Sequence, residues 1–315
     1  MKLMKNQTIL ITGATGFLGR ALARALADRG DTVRGLSRSE REASPGDAIS
    51  QWYRWSGGTD AIPAEAVAGA DAVVHLAGES VVGRWSDAKK RRILGSRVNG
   101  TQAVVEAIRA AGDDGPQVLV SASAIGYYGD RGDEKLTETS SSPEGDFLAD
   151  VCRAWEEEAT KAETLGARVV KVRIGLVMHP EGGALKAMLT PFKMGLGGKM
   201  GSGKQWQSWI HRDDLVSMLL FALDRDGLSG PMNATAPNPV TQKEFAKTLG
   251  KAIGRPTFMP APAFAIRAAL GEFAVELLSS KRVLPVVADD AGFRFQFPDL
   301  AGALADLVGK KREAA

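Results

Sequence analysis

Apolar residues recur along this chain with two alternating periods. A strand-like run, Thr8–Ile11, leads across a glycine-rich turn into Leu18, Leu22 and Leu26, four apart on one helical face. Gly30 stands where such a helix would stop. Strand-like runs return at Thr32–Leu36, Ala72–Ala77, Gln117–Ala122 and Val169–Ile174, with helical patterns between them. Strands and helices alternating at this spacing predict an α/β protein built on a doubly wound parallel sheet. Past that region, Gly182-Gly183, Gly195-Leu196-Gly197-Gly198 and Gly201-Ser202-Gly203 punctuate a loop-rich stretch that also holds Trp206 and Trp209. It reads as a lid or substrate wall. Ser208–His211 reads as a strand end passing into a helix capped by Asp213 or Asp214. Thr241 and Glu244 form a capping box ahead of Phe245, Leu249 and Ile253, and Phe293, Phe295 and Phe297 alternate as a short strand.

The first turn carries the strongest chemical signal. Gly13 permits a tight turn, Gly16 lets backbone approach a pyrophosphate, and Gly19 lets helix pack closely on strand. The phosphate would rest on the helix N-terminus beside Thr15, Phe17 and Leu18, where free N–H groups favour an anion. The glycines fall three apart, not in the commoner G-x-G-x-x-G spacing. The second strand ends in Ser37-Arg38-Ser39-Glu40-Arg41, where a carboxylate would hold the ribose hydroxyl of NAD or an arginine the 2′-phosphate of NADP. Arg38 comes first, which points to NADP, with Glu40 as the contrary signal.

Composition narrows the partners. Of 315 residues, 44% are apolar and 24% charged, which suits a globular protein with a sizeable core and excludes wholesale disorder. Forty basic against 37 acidic residues leave +3, which gives no electrostatic reason to expect nucleic acid or a membrane surface. One cysteine, Cys152, forms no internal disulfide, and three scattered histidines build no metal cluster. The start, Met1 to Lys5, shows no cleavable leader, and the most apolar C-terminal region is broken by Arg267, Glu272 and Glu276. A cytoplasmic protein acting on a small molecule, as monomer or homodimer, is the expectation.

Together these residues resemble the extended short-chain dehydrogenase/reductases, the family of sugar-nucleotide epimerases and dehydratases, over essentially the whole chain. Thr12–Gly19 resembles their T-G-x-x-G-x-x-G turn, Asp71–Gly78 their D-x-V-x-H-L-A-G strand, Gly100-Thr101 the start of their long central helix, and Ser121–Ser123 with Tyr128-Gly129-Asp130 their fifth strand. Gly78-Glu79-Ser80, Ala124–Gly129, Ser208–His211 and Asn233–Pro237 are similar to one atypical branch, labelled epimerase-family or cell-division-inhibitor proteins, which carries a C-terminal domain of unknown function. The resemblance implies a Rossmann fold whose cofactor contacts include Leu76, Ala77, Gly78, Ser121 and Ala122. It also implies interleaved domains: 1–175 plus 210–236 for NADP, and 176–209 plus 237–315 as a smaller substrate-binding C-terminal domain.

The same resemblance exposes what is missing. The family uses a Tyr as acid or base, a Lys four residues later, and a Ser or Thr to steady the reacting oxygen. Here Leu148 stands at the Tyr position, Cys152 at the Lys position, and Arg97 replaces an Asn ahead of the central helix. Gapless alignment puts Ala124 at the hydroxyl position, and a one-residue shift puts Ser123 there. Ser123, Tyr127 and Tyr128 are therefore the candidate catalytic groups, and Glu79, Arg84, Arg97, Trp206 and Trp209 the candidate substrate contacts. Cys152, on an apolar helix face, reads as inert, and His75 as a hydrogen-bonded core residue. Two functions fit: an NADP-dependent oxidoreductase reducing a small polar or nucleotide-linked carbonyl, and a sensor that binds NADP(H) without turnover.

Overall fold

The computed structural model describes residues 6–309, so the Met1–Lys5 lead lies outside the described residues. The first half runs β1 Thr8–Thr12, α1 Phe17–Arg29, β2 Thr32–Ser37, β3 Gln51–Arg54, α2 Ala64–Val67, β4 Ala72–His75, α3 Asp87–Ala111, β5 Val118–Ala124, β6 Lys135–Leu136 and α4 Phe147–Thr160. It continues as β7 Arg168–Ile174, β8 Leu176–His179, α5 Gly183–Lys193, β9 Trp206–Gln207, β10 Trp209–His211, α6 Arg212–Asp224 and β11 Gly230–Ala234. The C-terminal part holds β12 Val240–Thr241, α7 Gln242–Ile253, α8 Ala263–Leu270, α9 Ala274–Leu278, β13 Arg282–Val283, α10 Val286–Asp290 and α11 Leu300–Val308.

Seven strands make one parallel sheet in the order β11-β7-β5-β4-β1-β2-β3. Alternation along each strand sends side chains to opposite faces. Ile9, Ile11, Val74 and Val120 meet Leu22 and Leu26 of α1 and Leu215 and Leu219 of α6 on one face. Leu10, Val73 and Leu119 meet Val104, Val105 and Ile108 of α3 on the other. A separate core gathers Trp209, Phe245, Leu249 and Leu304 around Leu185 and Leu189 of α5. Chain order reverses between β1 and β4, both neighbours of the same crevice, and ligands of open α/β sheets bind at such a reversal. No helix among the described residues is long and apolar enough to cross a membrane.

Several expectations need correcting. β5 runs two residues past Ala122, so the ligand edge of the sheet is Ala124, and Ser121 and Ala122 are buried within the strand. The glycine-rich stretch holds α5, a helix of 11 residues, rather than loop alone. Helix α6 is capped by His211, whose Nδ1 accepts the Asp213 N–H, while the Asp214 carboxylate accepts the Gln296 and Phe297 N–H groups. Those bonds hold the 293–297 segment as an irregular strap, so the alternating phenylalanines form no strand.

Candidate functional site

The turn after β1 is built by steric permission. Gly13 has φ +68, and a Cβ there would lie 3.0 Å from Ala77 N and from the Leu76 carbonyl. A Cβ on Gly19 would lie 2.3 Å from the Gly13 oxygen and 2.8 Å from Ala14 Cα. Gly16 is the N-cap of α1 and supplies no side chain, so nothing caps the first helical turn beside Thr15, Phe17 and Leu18. A cradle closed to any Cβ, ending in uncapped N–H groups, fits a pyrophosphate.

Thr12 finishes the cradle and was missing from the sequence-derived set, although it opens the motif. Its Oγ1 accepts the Leu76 and Ala77 N–H groups, both at 3.1 Å, fixing the β4 end against Gly13, with Gly78 next and exposed. With both lone pairs used, the hydroxyl must donate to His75 Nδ1 at 2.7 Å, so the proton of the imidazole sits on Nε2, which meets no acceptor among the described residues. Burial, aided by Arg97, holds the His75 pKa at about 4. The unfolded chain binds that proton near about 6.5. Stability from this residue is therefore complete above about 6.5 and is lost as pH falls toward about 4, by roughly 3 kcal/mol. Urea midpoints through that window should fall less steeply for His75→Gln; an unchanged slope contradicts the assignment.

At the end of β2, Ser37 is buried and accepts the Arg41 Nε at 3.2 Å, while Arg41 stacks over Trp52. Arg38 is exposed and meets no acceptor among the described residues. Glu40 lies 3.7 Å from Arg54. The strand β3 that carries Trp52 and Arg54 was not expected, though the adjacent aromatics Trp52-Tyr53 are strand-favouring residues.

A cavity of ≈ 200 Å³ opens past the ends of β5 and β7. Ala124, Leu148 and Cys152, the three positions of the absent catalytic apparatus in the gapless alignment, all line it. Burial and the nearby Glu156 carboxylate push the Cys152 thiol up to about 12, so it stays protonated and inert. Arg97 lines the same cavity. Its Nη1 donates to the Glu79 and Ile93 carbonyls and its guanidinium stacks on Trp155, but no carboxylate among the described residues forms an ion pair with it. Burial lowers its pKa from the ordinary arginine value. The far wall comes from Trp206 of β9 and, in the C-terminal part, from Glu276, Ser279 and Lys281.

The three expected hydroxyls do not line this cavity. Ser123 Oγ donates to Glu156 Oε1 at 2.7 Å. Tyr128, 0% exposed, donates to Asn233 Oδ1 at 2.7 Å and accepts from Arg173 Nη1 at 2.9 Å. Burial pushes its pKa up to about 12. Tyr127 is half-buried, its ring 3.5 Å from the Arg173 guanidinium carbon. These groups belong to a buried network centred on the Arg173–Glu156 pair, which holds β5, β7 and α4 together. Of the expected substrate contacts, Arg97 and Trp206 line the cavity. Trp209 is buried in the third core, Glu79 pairs with Lys89 at 2.8 Å, and Arg84 packs beside Gly271.

A reversal crevice with this turn on one side and a walled cavity beyond it defines a dinucleotide-binding protein of the extended short-chain dehydrogenase/reductase type. The chain belongs to the NAD dependent epimerase/dehydratase family, which it matches over residues 9–234, and residues 261–307 match a domain of unknown function, DUF1731. The epimerase family protein YfhF of Bacillus subtilis is 40% identical over 305 residues, covering 96% of this chain and 99% of its own. The Arabidopsis thaliana chloroplastic SDR39U1 homolog, also called an epimerase family protein, is 42% identical over 312 residues, 96% of this chain and 87% of its own. Among solved structures, human epimerase family protein SDR39U1 (isoform 2) with NADPH is 33% identical with a TM-score of 0.82, covering 96% of this chain and 99% of that one.

Proposed function

We propose that the protein binds NADPH and reduces a small carbonyl compound in the cavity beside Ala124, Leu148 and Cys152. The carrying observation is the lining of that cavity, in which Arg97 stands without a tyrosine among the described residues and the Glu276 carboxylate is tied to Lys281. Oxidising an alcohol needs a group that takes its proton; Ala124, Leu148 and the protonated Cys152 supply none, and the Glu276 carboxylate is engaged by the Lys281 ammonium. Reduction needs donors aimed at an oxygen that gains charge, which a guanidinium provides. Bound NADPH would supply the hydride. Gly13, Gly16 and the first turn of α1 would hold its pyrophosphate, Leu76–Gly78 would flank it, and Arg38 would meet the 2′-phosphate. Support for the cofactor comes from the relative solved with NADPH. A volume of ≈ 200 Å³ falls below the roughly 300–1,000 Å³ of drug-sized ligand sites, which suits a small molecule better than a nucleotide-linked sugar.

The vacated catalytic positions also favour a second reading, a sensor that binds NADP(H) without turnover. One panel separates the two: aldehydes, ketones and 2-oxo acids with NADPH, and the matching alcohols with NADP⁺, at neutral pH. Carbonyl reduction faster than alcohol oxidation is the expected result. Faster oxidation overturns the direction, and no turnover leaves the sensor.

Cofactor choice is tested separately. A charge-assisted contact of about 1.5–3 kcal/mol gives NADPH a preference of roughly ten- to a hundredfold over NADH. Arg38→Ala should erase most of it. Equal affinities in the unaltered protein contradict the assignment.

A further inference from the structure

The reductase reading leaves one requirement unmet: a proton for the oxygen that receives charge. The family's Tyr and Lys would both have come from α4, and there Leu148 and Cys152 offer no exchangeable cation. Across the cavity, the C-terminal part brings in another cation. Lys281, 5% exposed, lines the same space and is held by two groups. Its Nζ donates to Glu276 Oε1 at 3.3 Å, to Glu276 Oε2 at 3.2 Å and to Ser279 Oγ. Ser279 and Glu276 line the cavity too. Glu276, from α9, and Cys152, from α4 at the position the family gives to lysine, line this one cavity. An ammonium this buried is kept only with partners, and the carboxylate and hydroxyl are those partners.

The geometry points to Lys281 as the proton donor of this site, supplied by the C-terminal domain in place of the missing Tyr/Lys pair. This rests on the reductase reading. As hydride reaches the carbonyl carbon, the C=O π pair moves onto oxygen. That oxygen takes a proton from Lys281 Nζ, the N–H electrons stay on nitrogen, and the neutral amine recovers a proton from water. Arg97 remains protonated throughout and stabilises the charge.

The lysine is distinguished from any cation by its ability to release a proton, since arginine keeps its charge and donors but does not deprotonate. The test measures NADPH oxidation with the carbonyl panel in the full chain, Lys281→Met and Lys281→Arg. NADPH affinity and thermal unfolding are recorded alongside. A general acid contributes about a hundredfold or more. Both variants should lose about that factor while binding NADPH within threefold of the unaltered protein. A second measurement needs no variant. In ¹³C-lysine-labelled protein carrying NADP⁺, adding the alcohol product should shift the Lys281 Cε resonance, assigned by its loss in Lys281→Arg. Full activity in Lys281→Arg, or a resonance unmoved by bound alcohol, overturns the assignment of Lys281 and leaves the reductase reading standing. No turnover by the unaltered protein overturns both.

Discussion

Replacing Arg173 by Met is expected to cost about 3–5 kcal/mol of stability, the usual result of stripping one partner from a buried pair. Arg173 is 3% exposed, and its Nε and Nη2 each lie 2.8 Å from a Glu156 oxygen. The same guanidinium donates to the Tyr128 hydroxyl and the Glu138 carbonyl. Methionine fills most of the volume but leaves a carboxylate buried without a cation and a phenol short of one partner. Ser123 Oγ, which donates to that carboxylate, is then the principal side-chain compensation left. Urea unfolding reads the loss directly. A cost below about 1 kcal/mol would show that the network is not what holds β5, β7 and α4 together.

Gly19→Ala should abolish cofactor binding at practical concentrations. The added Cβ meets backbone on both contacts, the Gly13 oxygen at 2.3 Å and Ala14 Cα at 2.8 Å, so no side chain can swing away. Helix α1 must retreat from the turn, which withdraws the N–H groups from the phosphate position. NADPH affinity should drop by about a hundredfold or more, roughly 3 kcal/mol. Gly227→Ala is the control, because a Cβ there meets nothing within 4 Å. Unchanged affinity in Gly19→Ala would remove the close helix–strand packing from the account.

The glycine turn after β1 was legible because its signals are local. Glycines at 13, 16 and 19 and the alternating strands act within one βα unit, and the observed φ at Gly13 and approach at Gly19 are what those spacings ask for. Of the cavity, Arg97 and Trp206 were legible in the sequence but the C-terminal wall was not, because its residues meet the rest only through the fold. Lys281 is far along the chain from Cys152, and its one sequence signal is the polar Ser279-Ser280-Lys281-Arg282 closing an apolar stretch. Ser123 and Tyr128 misled for a related reason. A hydroxyl near a strand end looks available until its partners are known, and Glu156 and Asn233 come from distant segments. Trp209 carried a polar N–H that its neighbours satisfy internally, through the Asn238 carbonyl at 3.1 Å. Asp213 and Asp214 looked like caps by composition, but His211 had the right backbone position to accept first.

The central claim is that one dinucleotide connects the Gly13–Gly19 turn to the cavity lined by Leu148 and Cys152. A crystal structure of the NADPH complex measures this most directly. The pyrophosphate should lie on the first turn of α1, the 2′-phosphate at Arg38, and the nicotinamide against Leu148 and Cys152 with its reactive carbon facing Arg97 and Lys281. A nicotinamide turned away from that cavity, or a 2′-phosphate out of reach of Arg38, would contradict it.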